Sequence, residues 1–294
     1  MDDKLKKDKI IEFYNQEAKN WNEMYGGKYE HYPANQFRLE IILSRLRENN
    51  SKKILDVGCG ACGPMITLLK KKFDCIGCDF AKEMVEEGIK ALQKEGFDSK
   101  LISRGDIEDE SSLPDGKFDA ILALGVFPHV KNVEKALKNL QNKLNQNGRV
   151  FISFRNDLFS AFTLNKYSKD FFLKKVINLK SLSPQMLMKI DEFYSKSCNA
   201  NNPIVNKEGK ILYTDIKADF NNPLTIENEL FNPCGYVVDK LHFYHYHALP
   251  PIFEETHKDE FRKLSMKLEK PNDWRGYLMA SAFVVEAIKN DKIN

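Results

Sequence analysis

The ten residues Ile54-Leu55-Asp56-Val57-Gly58-Cys59-Gly60-Ala61-Cys62-Gly63 constrain this chain more than any other segment. An apolar run that closes on three glycines and then continues helically predicts a buried strand, a tight turn and a helix. In an open α/β sheet a ligand sits at such a turn, beyond the carboxyl ends of the strands. Glycine is needed there because a Cβ would hold the backbone away from the ligand. The spacing of Gly58, Gly60 and Gly63 also fits a dinucleotide fingerprint, so the glycines alone do not choose the ligand. Asp56 does. A carboxylate at the strand tip repels a pyrophosphate and attracts a cofactor that brings an ammonium group.

Three further strands fall in step. Phe73 to Asp79 reads as the second, ending in an acid about twenty residues after the turn, where a carboxylate accepts from both ribose hydroxyls of a nucleotide-like cofactor. Phe80 and Met84 follow, placed to cover an adenine. Leu101 to Ile107 is a short third strand ending in Gly105-Asp106, with Asp106 available to an adenine amino group and Ile107 to the ring face. Phe118 to Gly125 is the fourth, followed by Val126-Phe127-Pro128-His129.

With these motifs the chain resembles the class I S-adenosylmethionine-dependent methyltransferases. The likeness is specific from Ser51 to Phe154 and looser over Val237–His247 and Leu278–Ala287. It implies an α/β fold with a Rossmann-like, seven-stranded, mostly parallel sheet. The last strand, sought at Gly276 to Ala287, is antiparallel. It implies S-adenosylmethionine as cofactor and S-adenosylhomocysteine as product. By resemblance Asp56, Gly58, Cys59 and Gly60 line the methionine end, Asp79 the ribose, and Phe80, Met84, Asp106, Ile107 and Leu124 the adenosine. Tyr14 and Trp21, on N-terminal helices of a kind that often cap the cofactor in this family, join them. The division expected is a helical cap over residues 1–50, the cofactor-binding core over 51–154, a helical insertion over 155–232, and strands completing the sheet over 233–294.

A chain of 294 residues with a net charge of +3 lacks the concentrated basic surface that duplex nucleic acid requires. No apolar run reaches the length of a membrane span. The start, Met1-Asp2-Asp3-Lys4, lacks a signal-peptide layout. A cytoplasmic enzyme of small molecules, monomeric or homodimeric, with neither nucleic acid nor membrane as partner, is the expectation. Cys59-x-x-Cys62 and Cys75-x-x-Cys78 have the letters of a zinc ribbon. However, Cys75 and Cys78 lie three apart on a strand and point to opposite faces, so four thiolates cannot converge. No metal is expected.

Methyl transfer from a sulfonium needs the acceptor positioned and water excluded, and an oxygen acceptor also calls for a base. His129, just past the fourth strand, is one candidate. Leu241-His242-Phe243-Tyr244-His245-Tyr246-His247 supplies others. Period-two alternation puts His245 and His247 on one face and His242, Tyr244 and Tyr246 on the other. Structural hydrogen bonding is the competing role for all three catalytic candidates. Arg155 and Asn156, leaving the fifth strand (Arg149 to Phe154), suit a phosphate or carboxylate of the acceptor. Tyr244 and Tyr25, the latter in the aromatic loop Tyr25 to Pro33 that reads as a lid, are further acceptor contacts.

The place after the fourth strand lacks the Asp/Asn-Pro-Pro-Tyr/Phe loop common in amino-methylation of DNA bases. Pro233-Cys234 lies too far along to serve as a pyrimidine nucleophile. The remaining expectation is a sugar, or a nucleotide- or phosphate-linked sugar precursor of a bacterial surface glycan, methylated on oxygen in preference to nitrogen. This would be a step of carbohydrate biosynthesis. The alternatives are a nicotinamide-dependent oxidoreductase, which Asp56 disfavours, and a non-catalytic sensor or scaffold that binds the cofactor.

Overall fold

The computed structural model describes residues 3–18, 33–177, 179–197 and 219–290. Trp21, Tyr25 and most of the aromatic loop expected as a lid lie outside these residues. Two helices, α1 (Asp3–Glu17) and α2 (Ala34–Glu48), precede a sheet that begins with β1 (Lys53–Val57). Then come α3 (Gly63–Lys70), β2 (Asp74–Asp79), α4 (Lys82–Lys94), β3 (Ile102–Arg104), β4 (Phe118–Ala123), α5 (Val133–Lys143) and β5 (Leu144–Asn156). An insertion carries α6 (Phe159–Phe162), α7 (Lys166–Phe171), α8 (Pro184–Ser197) and the two-residue β6 (Phe220–Asn221). The chain ends through β7 (Tyr236–Tyr246), α9 (Ile252–Thr256), α10 (Lys258–Lys267), α11 (Gly276–Met279) and β8 (Ala280–Lys289). No helix among the described residues is long and apolar enough to cross a membrane.

The sheet order is β3-β2-β1-β4-β5-β8-β7, parallel throughout except for β8, which runs antiparallel to both neighbours. Alternation along the strands divides the core. Leu55, Ile121, Ala123, Val150 and Ile152 pack with Ala136, Leu137 and Leu140 of α5. Their neighbours Ile54, Ala120, Leu122 and Phe151 pack on the other face, with Ile41, Ile42 and Leu46 of α2, Met65 and Leu68 of α3, and Leu92 of α4. Strands buried on both faces read as unbroken apolar runs, which is why β1, β4 and β5 were legible. Cys75 packs with the α2 side and Cys78 with the α5 side.

Two features depart from expectation. The last strand starts four residues late, because Gly276–Met279 form a helical turn. Asn156 enforces that turn: its Nδ2 donates to the carbonyls of Gly276, Tyr277 and Ala280 at 3.1, 2.9 and 2.8 Å. The second departure is β6. It pairs in parallel with Arg155 and Asn156 of β5 while β8 holds the opposite edge at Arg155↔Ala282, so it continues the lane that β4 vacates after Ala123.

Glu286, buried in the middle of β8, ties α2 to the sheet. Its carboxylate accepts from Arg45 Nε at 2.6 Å, Arg149 Nη1 at 2.7 Å and Asn49 Nδ2 at 2.8 Å, and pairs with His242 Nε2 at 3.0 Å. Burial alone would raise its pKa, but the hydrogen bonds from His242, Arg45 and Asn49 hold it down at about 2.

Candidate active site

The turn after β1 is bent by three residues in the left-handed region, Gly58 (φ 71°), Gly60 (φ 54°) and Cys62 (φ 64°). At Gly58 no side chain fits: a Cβ would stand 2.2 Å from Val126 Cγ2. The backbone amides of Gly58 and Cys59 donate to Cys78 O at 2.8 and 3.1 Å, locking the turn to β2. Asp79, at the end of β2, completes the brace. One carboxylate oxygen accepts from Gly60 N and the other from Ala81 N, each at 2.9 Å. Burial pushes Asp79 up to about 6, against the pull of those amides.

Asp56 lies beneath this turn on the α2 face of β1. It is buried, and its Oδ2 has no hydrogen-bond partner among the described residues. Burial raises it to about 7; the charge of Arg38 opposes the rise and that of Asp79 adds to it. An ionisable oxygen left unpaired in a dry site is costly and marks a place completed by a ligand.

Arg38 escaped the sequence reading. It is 6% exposed on α2, its Nη1 donates to the Tyr244 hydroxyl at 3.5 Å, and its guanidinium lies 5.8 Å from the Tyr244 ring centre. The signal was available: Arg38 shares a helical face with Ile41 and Ile42, and a cation inside an apolar stripe is the exception there. A buried carboxylate and a buried guanidinium at one turn match the ammonium and carboxylate of an amino-acid zwitterion. The methionine end of S-adenosylmethionine is such a group.

On the side expected to face the adenosine, Met84 is buried with Ala61, Ala81 and Ala18, and Tyr14 packs against this cluster. The Tyr14 ring meets Phe80 at 6.4 Å and His129 at 5.8 Å, so α1 covers this side of the turn. Asp106 accepts from Glu108 N at 3.0 Å. Ile107 is buried in the α5-side core, and Leu124 packs at the edge of the α2-side core.

A cavity of about 440 Å³ opens beyond Gly125, within the usual range for small-molecule sites. Arg38, Gly125, Pro128 and Ser153 form its inner wall. Arg155, Phe159, Ser160, Thr163, Asn165, Tyr167 and Phe220 come from β5 and the insertion, Tyr244 and His245 from β7, and Pro251 from the start of α9. The structure therefore brings Arg155, Tyr244 and His245 to one cavity. His129 turns instead toward Tyr14 of α1.

His247 and Asn156 do not line the cavity. The His247 ring packs 4.6 Å from Phe159 and 5.8 Å from Phe261, and its Nδ1 donates to His245 O at 3.1 Å. Asn156, expected at the acceptor, is fully buried and holds the α11 turn, with its Oδ1 accepting from Leu158 N at 3.0 Å. The alternation expected along β7 also breaks. Tyr244 packs on the α2 side, whereas Tyr246 joins Phe243 on the α5 side. The cause lies between them: His245 has φ 60°, a left-handed conformation that a histidine adopts at a cost. Burial, reinforced by His247, lowers His245 to about 3, and burial lowers His247 to about 4. Both imidazoles are neutral near pH 7.

Residues 55–152 match the family model described as a methyltransferase domain. An uncharacterized protein of Haemophilus influenzae is 34% identical over 134 residues, 42% of this chain and 53% of that protein. A ubiquinone biosynthesis O-methyltransferase of Rickettsia prowazekii is 27% identical over 52% of this chain and 62% of its own length. The chain thus spans between half and two thirds of these curated relatives. The fold likeness reaches further. The magnesium protoporphyrin IX methyltransferase of Synechocystis, solved with S-adenosylhomocysteine, superposes with a TM-score of 0.55 at 14% identity, covering 96% of this chain and 98% of that one. An S-adenosylmethionine-dependent methyltransferase of Clostridium acetobutylicum gives 0.55 at 12% identity, covering 94% and 99%. Residues 55–152 thus match a methyltransferase-domain model, and the chain shares the fold of these two solved methyltransferases.

Proposed function

We propose that the protein transfers a methyl group from S-adenosylmethionine to a small polar acceptor held in the cavity beyond Gly125. The acceptor is a sugar, or a nucleotide- or phosphate-linked sugar precursor of a bacterial surface glycan, and the reaction takes place in the cytoplasm. One observation carries the reading: the buried carboxylate of Asp56, with an unpaired oxygen, lies at the glycine turn under the charge of Arg38, and Arg38 also lines that cavity. Asp56 takes the ammonium of the cofactor and Arg38 its carboxylate. Asp79 already accepts two backbone amides and retains lone pairs for the ribose hydroxyls. Phe80 and Met84 face the adenine.

The bound cofactor supplies a methyl group already activated on a sulfonium. The protein's task is then to orient the acceptor and keep water out. Arg155, Tyr244 and the Ser160 hydroxyl supply hydrogen bonds. Neutral His245 accepts a hydrogen bond from the attacking hydroxyl, aligns it, and takes up the hydroxyl proton as the O–CH3 bond forms and the S–CH3 bond breaks, then passes that proton to solvent. Its low pKa makes it an orienting group more than a strong base. Oxygen is preferred over nitrogen because the wall offers groups that orient a hydroxyl, and the Rickettsia relative carries an O-methyltransferase name.

Side-by-side calorimetric titration with S-adenosylmethionine and NAD tests the reading. Selective binding of the first supports it. Selective binding of NAD would replace it with the oxidoreductase reading.

A further inference from the structure

The outer part of the cavity has a construction of its own. The register of β6 sets Phe220 opposite Arg155. The Arg155 guanidinium lies over the Phe220 ring at 5.5 Å, and Phe220 in turn lies 5.8 Å from the ring of Tyr167, tilted by 41°. Tyr167 is fixed by the start of α7: Asn165 Oδ1 accepts from Tyr167 N at 2.9 Å and from Thr163 Oγ1 at 2.7 Å. Tyr167 is 45% exposed, while Tyr244 is 5% exposed and Arg38 6%, so the Tyr167 ring marks the rim and the latter two the floor. The described lining residues include two arginines and no carboxylate. The order inward is an exposed aromatic face, a cation stacked on an aromatic ring, then hydroxyls and an imidazole beside Gly125. A planar base stacks on an aromatic face whatever its identity. A guanidinium recognises phosphate oxygens in a fixed, bidentate geometry.

We propose that Tyr167, Phe220 and Arg155 form a subsite for a nucleoside diphosphate. The base lies against Tyr167, the diphosphate at Arg155, and the sugar it carries points inward toward Gly125 and His245. The subsite rests on the methyltransferase reading for its purpose but not for its detection. It makes the insertion a nucleotide-recognition element. β6 is its keystone, since without that pairing Phe220 would not sit under Arg155.

The probes are UDP, dTDP, CDP, GDP and ADP, titrated calorimetrically into the full chain with and without S-adenosylmethionine. At least one of the five binds. The matching nucleoside and inorganic pyrophosphate each bind more weakly than the diphosphate that joins them, and attaching glucose to it does not abolish binding. Arg155→Gln and Tyr167→Ala each weaken that nucleotide about tenfold or more, corresponding to loss of one charge-assisted contact or one stacked base. Tyr167→Phe, which keeps the ring, stays within about threefold of wild type. S-adenosylmethionine affinity of the same preparations is unchanged within about twofold. Failure of all five nucleotides to bind, or undiminished binding by both Arg155→Gln and Tyr167→Ala, overturns the subsite. Because Tyr167 is exposed, its variants keep the test valid even where the Arg155 variant folds poorly. Nucleotide binding without S-adenosylmethionine binding would leave the subsite standing and overturn the methyltransferase reading.

Discussion

Replacing Asp56 with asparagine should move cofactor affinity and protein stability in opposite directions. The carboxyl sits in a dry site that raises it from 3.8 to about 7. The sign follows from proton counting. Between about pH 4 and pH 7 the native protein keeps a proton that the unfolded chain has lost, so ligand-free stability falls as pH rises through that window. The full loss is up to about 4 kcal/mol, taking 1.36 kcal/mol per pH unit. Asp56→Asn cannot ionise and should escape it. At pH 8 the ligand-free variant should therefore melt above wild type, and at pH 4 the two should converge. Cofactor binding should go the other way. An ammonium held by an ionised carboxylate is a charge-assisted contact, and losing it costs about 1.5–3 kcal/mol, or roughly tenfold to hundredfold in affinity.

Protons again give the second readout. Ammonium binding selects the ionised carboxylate, so wild type should release about half a proton near pH 7, and affinity should fall about tenfold per pH unit below that. Calorimetry in two buffers of different ionisation enthalpy measures the release directly, and the variant should lose Asp56's share of it. Asp79, at about 6, contributes a separate release at lower pH that both proteins should share. An Asp56→Asn protein that binds S-adenosylmethionine within a factor of two of wild type, or that melts no higher at pH 8, would refute this account of the site.

Arg38→Gln should weaken S-adenosylmethionine about tenfold while affecting its decarboxylated analogue little, since only the former has the carboxylate that Arg38 is assigned to hold; equal losses by calorimetry would remove that assignment. Gly58→Ala combines a left-handed backbone with a Cβ 2.2 Å from Val126 Cγ2, so cofactor binding should collapse, and adding Val126→Ala should restore part of it; no rescue would mean that strain, not the clash, dominates. His245→Ala should slow turnover at least tenfold, whereas His247→Ala, which removes a packed ring away from the cavity wall, should lower stability by about 1–3 kcal/mol and spare turnover. Neither should produce a pH–rate limb near 6.5, because both imidazoles are held neutral far below that value. Glu286→Gln leaves the Arg45 and Arg149 charges without their shared buried carboxylate and should cost about 3–5 kcal/mol by denaturant titration. Glu286 is depressed from 4.5 to about 2, so the stability it contributes is present above pH 4.5 and lost as pH falls through about 2. That acid-side loss should vanish in the variant.

What the sequence disclosed and what it hid divide along a physical line. Strands β1, β4 and β5 were legible because a parallel strand covered on both faces must be apolar at every position. The glycine turn was legible because Gly58 and Gly60 hold a left-handed backbone that favours glycine. Both are local demands. The features missed are set by partners far away in the chain. Arg38 acquires meaning only when α2 is laid across β1 and β7, which brings it to Asp56 and Tyr244. Asn156 looked like an acceptor ligand until three carbonyls around residues 276–280 claimed it. Over Leu241 to His247 the alternation along β7 fails at His245, whose left-handed backbone a period-two pattern does not assign to a strand residue. That failure falls on the cavity wall, and this is where local rules are expected to be broken, since strain persists only where the surrounding structure imposes it for use. The break itself is therefore an argument about function. It turns His245 into the cavity and packs His247 against Phe159, so of two histidines that share a sequence pattern only one lines the site.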